Sequence, residues 1–351
     1  MEDKKPSHKL LCYGTPVVAI ALGYLLSKRL SSNSEIIGGI EMGGTNIKLC
    51  LAKRSIRDMP FKIIGEPLII KTAGDDGLSI ERDENGISPY HSKIFSKMIE
   101  FLTSQGPISN IGIASFGPIC VDPESDSYGT ILNSPKKKWV MFNLVKAFNS
   151  LWEGPKPSIT VDTDVNAVAK FEFGHGGHNA KKNLAYITVG TGIGVGLVIN
   201  GDTCTGLTHP EGGHVCVNRH SNEVEEFKSV CGFHDCCVEG YATNVSIAKR
   251  KNIDIEALPS LDDTDPVWEL VAYYLASLCC TVTLTCSPEA IVIGGGVMNR
   301  KILYKMIQEE FITQMHNYIT HDKITKENVD KYIVRSRFEN DCGLYSALSL
   351  V

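Results

Sequence analysis

Two segments of the chain repeat one design, in which a glycine turn separates two predicted strands. The segment 36–52 reads IIGGIEMGGTNIKLCLA, and the segment 185–201 reads AYITVGTGIGVGLVING. In both segments, β-branched residues flank glycines that can adopt positive φ and leave the backbone N–H groups unobstructed. Such N–H groups can cradle phosphate oxygens. The repetition therefore predicts two structurally related lobes, each with a phosphate-facing hairpin.

Two common nucleotide-binding motifs do not account for these turns. The chain has no G-x-x-x-x-G-K-[ST] segment, which excludes a P-loop. The glycines from Gly192 to Gly196 resemble part of a dinucleotide fingerprint. The LVING segment that follows predicts a further strand, whereas a Rossmann site needs a helix at that point.

A third glycine cluster follows a predicted strand late in the chain. Residues 268–286 are almost entirely apolar and predict a long helix that Ser287-Pro288 ends. AIVIGGGVM (290–298) then predicts a buried strand that runs into Gly294, Gly295 and Gly296. Glycines at this point would let a flat ring approach the backbone closely, and a tight strand–helix turn without a ligand explains them equally well.

A carboxylate stands where a predicted strand meets a predicted helix. SITVDTDVNAVAKFEFG (158–174) places Asp164 at this junction, with Asn166 as a candidate N-cap and Asp162 as a candidate structural partner. The dipole and the free N–H groups of a helix N-terminus should keep Asp164 ionised. An ionised carboxylate suits a group that accepts a proton from a substrate hydroxyl. Simple capping of the helix is the alternative.

A polar loop precedes this junction. The predicted strand NIGIASFGPI (110–119) leads to YGTILNSPKKKW (128–139). Asn133 and Ser134 in this loop are candidate hydrogen-bond donors to a ligand. Its lysines are more typical of a solvated face than of an anion site.

The stretch 209–240 combines a metal-ligand set with two carboxylates. The four candidate ligands, spaced H-x16-C-x2-H-x2-C, are His214, Cys231, His234 and Cys237. This spacing suits a closed tetrahedral zinc site. Glu211 and Glu239 lie close to these ligands in the sequence, so that a metal that fixes the loop would also fix both carboxylates. The pattern predicts a small hydroxylated ligand held by a zinc-braced loop.

Composition narrows the classes of partner. A net charge of -5 and a pI near 6.1 argue against nucleic acid, and no basic patch offsets this charge. The 12 cysteines are scattered, and several lie in apolar runs. They indicate a reducing compartment in which most thiols are core residues or metal ligands.

The N-terminus differs from the rest of the chain. A tail at 1–9 precedes the uncharged run LLCYGTPVVAIALGYLLS at 10–27, and a linker at 28–35 begins with Lys28 and Arg29. The run is close to the lower limit for a bilayer span of roughly 17–25 residues. The basic flank predicts an uncleaved membrane anchor, and a helix packed on the domain is the alternative.

The segments above, in this order, resemble the repressor–ORF–kinase (ROK) family of sugar kinases, within the actin-like ATPase superfamily. The resemblance covers 36–351 and also includes GIASFGPI and the terminal GLYSAL. HPEGGH and CGFHDCCVEG match two highly specific family signatures, HPE-x-GH and C-x-FH-x-x-C-x-EG. They are most similar to the zinc-containing branch of bacterial-type fructokinases.

The resemblance implies an α/β fold of the two-lobed actin-like ATPase (ribonuclease H-like) type, with the active-site cleft between the lobes. We expect an N-terminal lobe at 36–160, completed by a C-terminal helix at about 340–351. The C-terminal lobe would span 161–339 and carry the zinc-binding loop 209–240. The family resemblance also implies a homodimer.

The resemblance further assigns roles to residues. Asp164 would be the general base toward a sugar hydroxyl. The substrate-binding residues would be Asn133, Ser134, Thr163, Asp164, Glu211, His214 and Glu239. The residues against ATP would be Gly43, Gly44, Thr45 and Asn46 in the first turn, Thr191 and Gly192 in the second turn, and Gly294, Gly295 and Gly296. Mg²⁺ would orient the γ-phosphate, and zinc would be structural because four protein ligands leave no open position.

The implied activity is the ATP-dependent phosphorylation of a hexose, with the 6-hydroxyl of D-fructose as the favoured acceptor. A glucokinase, a mannokinase or an N-acetylmannosamine kinase of the same family is one alternative. The other is a membrane-tethered sugar-binding protein with little catalysis, because YATNVSI (241–247) departs from the family pattern near the nucleotide. The need for ATP predicts a body that faces the cytosol, anchored to the mitochondrial outer membrane or to the endoplasmic reticulum.

Overall fold

The structure is a computed structural model that describes residues 35–43, 45–54, 61–72, 77–134, 136–338 and 342–351. The predicted tail at 1–9, the predicted anchor at 10–27 and the linker up to residue 34 lie outside the described residues. Gly44 of the first glycine turn also lies outside them.

The first sheet has five strands in the order β3-β2-β1-β4-β7. These strands are β1 (Glu35–Met42), β2 (Asn46–Arg54), β3 (Lys62–Lys71), β4 (Ile108–Ser115) and β7 (Ser158–Thr163). A small antiparallel pair, β5 (Thr130–Ile131) and β6 (Phe142–Asn143), lies beside it. The helices α1 (Pro89–Thr103) and α2 (Leu144–Leu151) belong to the same part of the chain.

The second sheet has five strands in the order β10-β9-β8-β11-β12. These strands are β8 (Leu184–Val189), β9 (Ile193–Ile199), β10 (Asp202–Thr203), β11 (Ile291–Gly294) and β12 (Ile333–Arg335). The other α-helices among the described residues are α3 (Asp164–His175), α4 (Val238–Ala242), α5 (Asn244–Lys251), α6 (Val267–Cys286), α7 (Ile302–Met315) and α8 (Cys342–Leu348).

The two sheets share one topology. In the first, β1 pairs antiparallel with β2 and parallel with β4, which pairs parallel with β7. In the second, β8 pairs antiparallel with β9 and parallel with β11, which pairs parallel with β12. The structure thus confirms the two predicted glycine hairpins and the prediction of two related α/β lobes.

Helix α6 forms the centre of the second lobe. Its apolar residues line most of its circumference, and Tyr274, Leu278 and Cys279 are fully buried among the strands and α7. A helix that is apolar on all sides belongs in a core or in a membrane. Among the described residues, α6 is the one helix long and apolar enough to cross a bilayer, and its burial identifies it as a core helix.

The chain ends on the first sheet. Helix α8 follows the strands of the second lobe in sequence, yet Leu348 packs with Ile37 and Cys50 of the first sheet. Ala347 of the same helix packs with Ala114 of β4 and Ala167 of α3. The first sheet itself extends to Thr163 rather than to residue 160, since β7 pairs with β4 through that residue.

Candidate active site

Asp164 occupies the first position of α3, directly after β7. The side chain of Thr163 caps this helix, because its hydroxyl oxygen accepts the Asn166 N–H at 3.1 Å. The prediction that Asn166 is the N-cap is therefore wrong. Asn166 lies inside the helix, is fully buried, and binds Asp162 and the Leu197 N–H with its side chain.

Burial is the main cause that raises the pKa of the Asp164 carboxyl to about 7, and the nearby carboxylates of Glu41 and Glu211 contribute to this increase. The Val165 N–H donates a hydrogen bond to Asp164 Oδ1 at 2.9 Å, and this hydrogen bond lowers the pKa. The expectation that the helix terminus keeps Asp164 fully ionised is wrong, since desolvation exceeds the effect of this hydrogen bond. A carboxyl with such a pKa suits proton transfer near neutral pH.

Asp162, at the end of β7, has a different environment. Its Oδ1 accepts the Thr163 N–H at 2.7 Å and the Asn166 side-chain amide at 3.0 Å. Burial is the main cause that raises its pKa, and hydrogen bonds from Thr203, Asn166 and Thr163 lower it. Asp162 thus joins β7, α3 and β10, which is the structural task that the sequence predicted for it.

The four predicted metal ligands converge, and their ligand atoms all lie within 4.8 Å of one another. Cys231 Sγ lies 3.7 Å from His214 Nδ1 and 3.6 Å from His234 Nδ1. A tetrahedral zinc with metal–ligand bonds of about 2.0–2.3 Å would separate its ligand atoms by roughly 3.6 Å. The donor set and its spacing therefore fit Zn²⁺, with Cys237 as the fourth ligand.

His214 directs its other ring nitrogen toward Glu239. His214 Nε2 lies 3.9 Å from Glu239 Oε1, while Glu239 Oε2 accepts the Ile193 N–H of the second hairpin at 3.0 Å. A Cβ atom at Gly192 would lie 2.8 Å from Glu239 Oε2, so a larger residue there would displace the Glu239 carboxylate. Glu239 therefore connects the candidate metal centre to the second glycine turn.

His209 and Glu211 face the first lobe. His209 Nε2 accepts the Ile119 N–H at 3.2 Å, and His209 Nδ1 lies 3.6 Å from Glu211 Oε1. Gly117 lies against the same His209 ring and the Glu211 carboxylate. The loop after β4 and the start of the zinc-binding loop thus meet across the two lobes. Sequence reasoning missed His209, although it begins the HPEGGH segment.

The loop with Asn133 and Ser134 joins this contact through the backbone. Ile119 bridges to Ile131, and the Leu132 N–H donates to the Pro118 carbonyl at 2.8 Å. Asn133, the next residue, is exposed, whereas Ser134 is buried and accepts the Lys136 N–H at 3.3 Å. Ser134 therefore closes a turn of its own loop, and Asn133 is the better placed of the two for a ligand.

The first glycine turn carries a carboxylate that sequence reasoning missed. The Gly43 N–H donates to the Asn46 carbonyl at 2.9 Å, and Thr45 between them is exposed. Glu41, near the end of β1, binds Lys48 at 3.1 Å and is close enough to Asp164 to raise its pKa. A carboxylate at a strand end, beside a glycine turn, was the available signal. Its proximity to Asp164 depends on tertiary structure.

A cavity of about 530 Å³ lies beside the third glycine cluster. Gly296 opens onto it, with Asn244, Ile255, Trp268 and Arg300 among the other lining residues. Gly295 has a φ of +96°, and a Cβ there would lie 2.5 Å from the Val189 carbonyl oxygen. Gly295 therefore packs against the end of β8, and Gly294 and Gly296 line a smaller recess beside it.

Asn244 supplies an unsatisfied acceptor at this cavity. Its Oδ1 is the one buried side-chain nitrogen or oxygen without a hydrogen-bond partner in the described part of the chain. Its backbone N–H donates to the Gly190 carbonyl of the second hairpin at 3.0 Å. Buried polar groups are usually satisfied, so Asn244 is a candidate contact for a bound polar molecule. The sequence carried no signal for this residue beyond the departure of YATNVSI from the family pattern.

Comparison with known proteins places these features in a family. A family model described as the ROK family matches residues 73–351. The chain is 36% identical to the fructokinase of Lactococcus lactis subsp. cremoris, over 84% of this chain and 89% of that protein. It is 32% identical to a putative fructokinase of Bacillus subtilis (strain 168), over 90% of this chain and 95% of that protein.

A solved structure has the same fold. The ROK family glucokinase from Streptomyces griseus, in complex with glucose and AMPPNP, superposes with a TM-score of 0.63. The match covers 90% of this chain and 99% of that one at 18% sequence identity. The predicted two-lobed actin-like ATPase fold is thereby confirmed.

Proposed function

Because the chain belongs to the ROK family, we propose that it is an ATP-dependent hexose kinase that phosphorylates the 6-hydroxyl of D-fructose. The observation that carries the chemistry is the position of Asp164 at a strand–helix junction, where burial, with the Glu41 carboxylate of the first lobe, raises its pKa to about 7. Relatives named fructokinase, at 30–36% identity over most of the chain, support fructose over the other hexoses.

Asp164 would act as the general base. Phosphoryl transfer consists mainly of positioning and charge stabilisation, and the base orients the attacking hydroxyl and takes its proton late. The half-buried site supports this role, because burial holds the pKa of Asp164 close to the pH at which the enzyme would work. Asp162 would keep the junction rigid through its hydrogen bonds to Thr163 and Asn166.

The residues near Asp164 also fit the Mg²⁺ that accompanies ATP. Hard cations prefer carboxylate oxygens, and Glu41 and Asp164 supply carboxylates that repel each other. When bound, Mg²⁺ would neutralise charge on the transferring phosphoryl group. Glu41 would hold it from the first lobe, and the N–H groups of the two glycine turns would orient the phosphates.

Fructose would lie between Asp164 and the zinc-binding loop, with Glu211, His214 and Glu239 as hydrogen-bonding partners. Asn133 would approach from the first lobe. Zinc would be structural, held by His214, Cys231, His234 and Cys237, and it would fix the His214 ring whose Nε2 side faces Glu239. The adenosine of ATP would occupy the cavity beside Gly296, where Asn244 Oδ1 could accept a hydrogen bond from a ribose hydroxyl or from an amino group.

A substrate panel tests the proposal. Purified protein with MgATP should phosphorylate fructose with a higher kcat/KM than glucose, mannose or N-acetylmannosamine, measured by coupled detection of ADP. NMR of the product should show phosphate at carbon 6. Faster turnover of another hexose would reassign the substrate, and fructose binding without ADP formation would replace the kinase by a sugar-binding protein.

We further propose a homodimer whose catalytic body faces the cytosol and whose residues 10–27 anchor it to the mitochondrial outer membrane or to the endoplasmic reticulum. ATP supply and the scattered cysteine thiols support the cytosolic side. Fractionation of full-length protein and of a variant without 1–35 tests the anchor, because a fully soluble full-length chain contradicts it. Analytical ultracentrifugation of the shorter variant gives the oligomeric state.

A further inference from the structure

Two cysteines outside the metal-ligand set face each other on the zinc-binding loop. The Cys236 thiol donates to Cys216 Sγ at a sulfur–sulfur distance of 2.8 Å. Cys216 is exposed and Cys236 is half-buried, and neither belongs to the four converging ligands. Nothing in the proposed kinase reaction needs this pair.

The backbone holds the two segments in register. Cys216 and Cys237 form an antiparallel bridge, flanked by hydrogen bonds from Val217 N–H to the Cys236 carbonyl and from Val238 N–H to the Val215 carbonyl. The backbone of the loop therefore holds the two cysteines close together, and their proximity does not depend on side-chain rotation alone. Bridging the two sulfurs needs little backbone movement, which is the usual obstacle to a new disulfide.

The pair is also open to a reagent. Cys216 and Cys236 line one surface groove of about 670 Å³, together with Tyr273 and Gln314. A volume of this size is in the range that admits a drug-sized molecule. A tripeptide disulfide such as glutathione disulfide can therefore reach the exposed sulfur of Cys216.

We propose that Cys216 and Cys236 form a reversible disulfide that acts as a second brace on the zinc-binding loop. Cys216 attacks glutathione disulfide, forms a mixed disulfide and releases one glutathione thiol. Cys236 then attacks the Cys216 sulfur and releases the second thiol. Two electrons pass from the cysteine pair to glutathione disulfide, and the two thiol protons leave with the two glutathione products.

The location of the bridge gives it a consequence. Cys216 follows the ligand His214, and Cys236 precedes the ligand Cys237, so the disulfide closes a loop that contains Cys231 and His234. Closing a loop by a covalent bond restricts its unfolded states. The oxidised loop should keep its ligands together for longer when metal is withdrawn.

The experiment uses full-length, zinc-loaded protein. It is incubated with glutathione disulfide, alkylated and digested, and peptides that contain Cys216 and Cys236 should appear linked, with two hydrogen atoms less. Zinc loss to a fixed concentration of chelator should then be about tenfold slower than in the reduced protein. C216S and C236S should keep stoichiometric zinc, form no link and lose zinc at the reduced rate.

Four outcomes overturn the proposal. The first is the absence of the link between Cys216 and Cys236, and the second is a link through Cys231 or Cys237 with release of zinc. The third is the loss of stoichiometric zinc in C236S, which would make Cys236 a metal ligand in place of Cys237. The fourth is a link that leaves the rate of zinc loss unchanged. The mass readout does not depend on the sugar or on kinase activity.

Discussion

The strand–helix junction at Asp164 and the zinc-binding loop are both parts of the candidate site, but they are held in different ways. The junction consists of β7 in the first sheet and α3, with the Thr163 cap and the Asp162–Asn166 hydrogen bond between them. The loop from β10 to α4 contains little regular structure besides the short 3₁₀ turn Gly212–His214. One backbone bridge, between Cys216 and Cys237, holds parts of the loop together, and the four predicted metal ligands converge beside it.

This difference separates chemistry from recognition. A catalytic carboxylate on a strand–helix junction stays in position whatever the loop does, because the sheet and helix fix its backbone. Under the proposed function, the sugar-binding surface of the loop would be ordered only while the metal is bound. Changes at the junction should therefore act on turnover, and changes in the loop should act on binding and metal content together.

Asp164→Asn should have the largest effect. The amide cannot accept the proton of the sugar hydroxyl, so kcat should fall by roughly 10²–10⁴-fold, while the KM for fructose and the zinc content stay close to those of the wild type. Steady-state kinetics of the purified variant measure kcat and KM, and metal analysis measures its zinc content.

A melting curve of the same variant guards against misfolding. In the folded protein the pKa of Asp164 is about 7, above the ordinary aspartate value of 3.8, so the ionised form destabilises the folded state. This cost is absent below pH 3.8 and fully present above pH 7, so Asp164→Asn should melt at a higher temperature than the wild type at pH 8. Normal turnover, or a lower melting temperature with lost activity, would remove Asp164 from its assigned role.

Replacing two zinc ligands should have the next largest effect. Cys231→Ser with Cys237→Ser leaves two histidines, which are too few ligands for a closed site. Zinc should fall below stoichiometric amounts, and the KM for fructose should rise by about 10–100-fold, in keeping with the loss expected when ligands of a metal site are disturbed. Metal analysis, and calorimetry with fructose alone, measure these changes.

The matched control for the ligand pair is Cys236→Ser, beside Cys237 in the same loop. It should retain zinc and fructose affinity. Full zinc occupancy in the double variant would locate the metal elsewhere, and unchanged fructose affinity after zinc loss would separate the metal from the sugar site.

The sequence predicted most of what depends on local pattern. Alternating β-branched residues around glycines were enough to predict the β1–β2 and β8–β9 hairpins. The H-x16-C-x2-H-x2-C spacing was enough to predict that the four ligands lie together. Each of these features is encoded within a continuous segment. The structure therefore adds distances to them and does not alter them.

Features that depend on distant residues were not predictable in this way. The pKa of Asp164 is raised by burial and by Glu41 and Glu211, which belong to other segments, so the local dipole argument gave the wrong direction. Glu41 and the unsatisfied Asn244 Oδ1 become candidate site groups only because the fold brings distant segments of the chain beside them. The membrane anchor at 10–27 stays a prediction.

The pH dependence of activity distinguishes the two regions further. Because Asp164 must be deprotonated to act as a base and burial raises its pKa to about 7, kcat/KM should fall about tenfold for each unit below pH 7 and level off above it. The binding of fructose to the loop should change less over the same range. If kcat/KM stays constant between pH 5.5 and 8, where a change of about tenfold per pH unit is expected below pH 7, Asp164 is not a base with this pKa.

Glu239 contacts both the zinc-binding loop and the second glycine turn, so its substitution should affect sugar and ATP binding together. This effect should be the smallest of those predicted. Its Oε2 accepts the Ile193 N–H of the second glycine turn, and its Oε1 faces His214 of the loop. Glu239→Gln keeps the shape but removes the charge from this hydrogen bond, which should raise the KM values for fructose and for ATP together, each by less than about tenfold. Glu211→Gln is the matched control, because Glu211 faces His209 and should change the KM for fructose alone. If Glu239→Gln, like Glu211→Gln, leaves the KM for ATP unchanged, the zinc-binding loop does not support the second glycine turn.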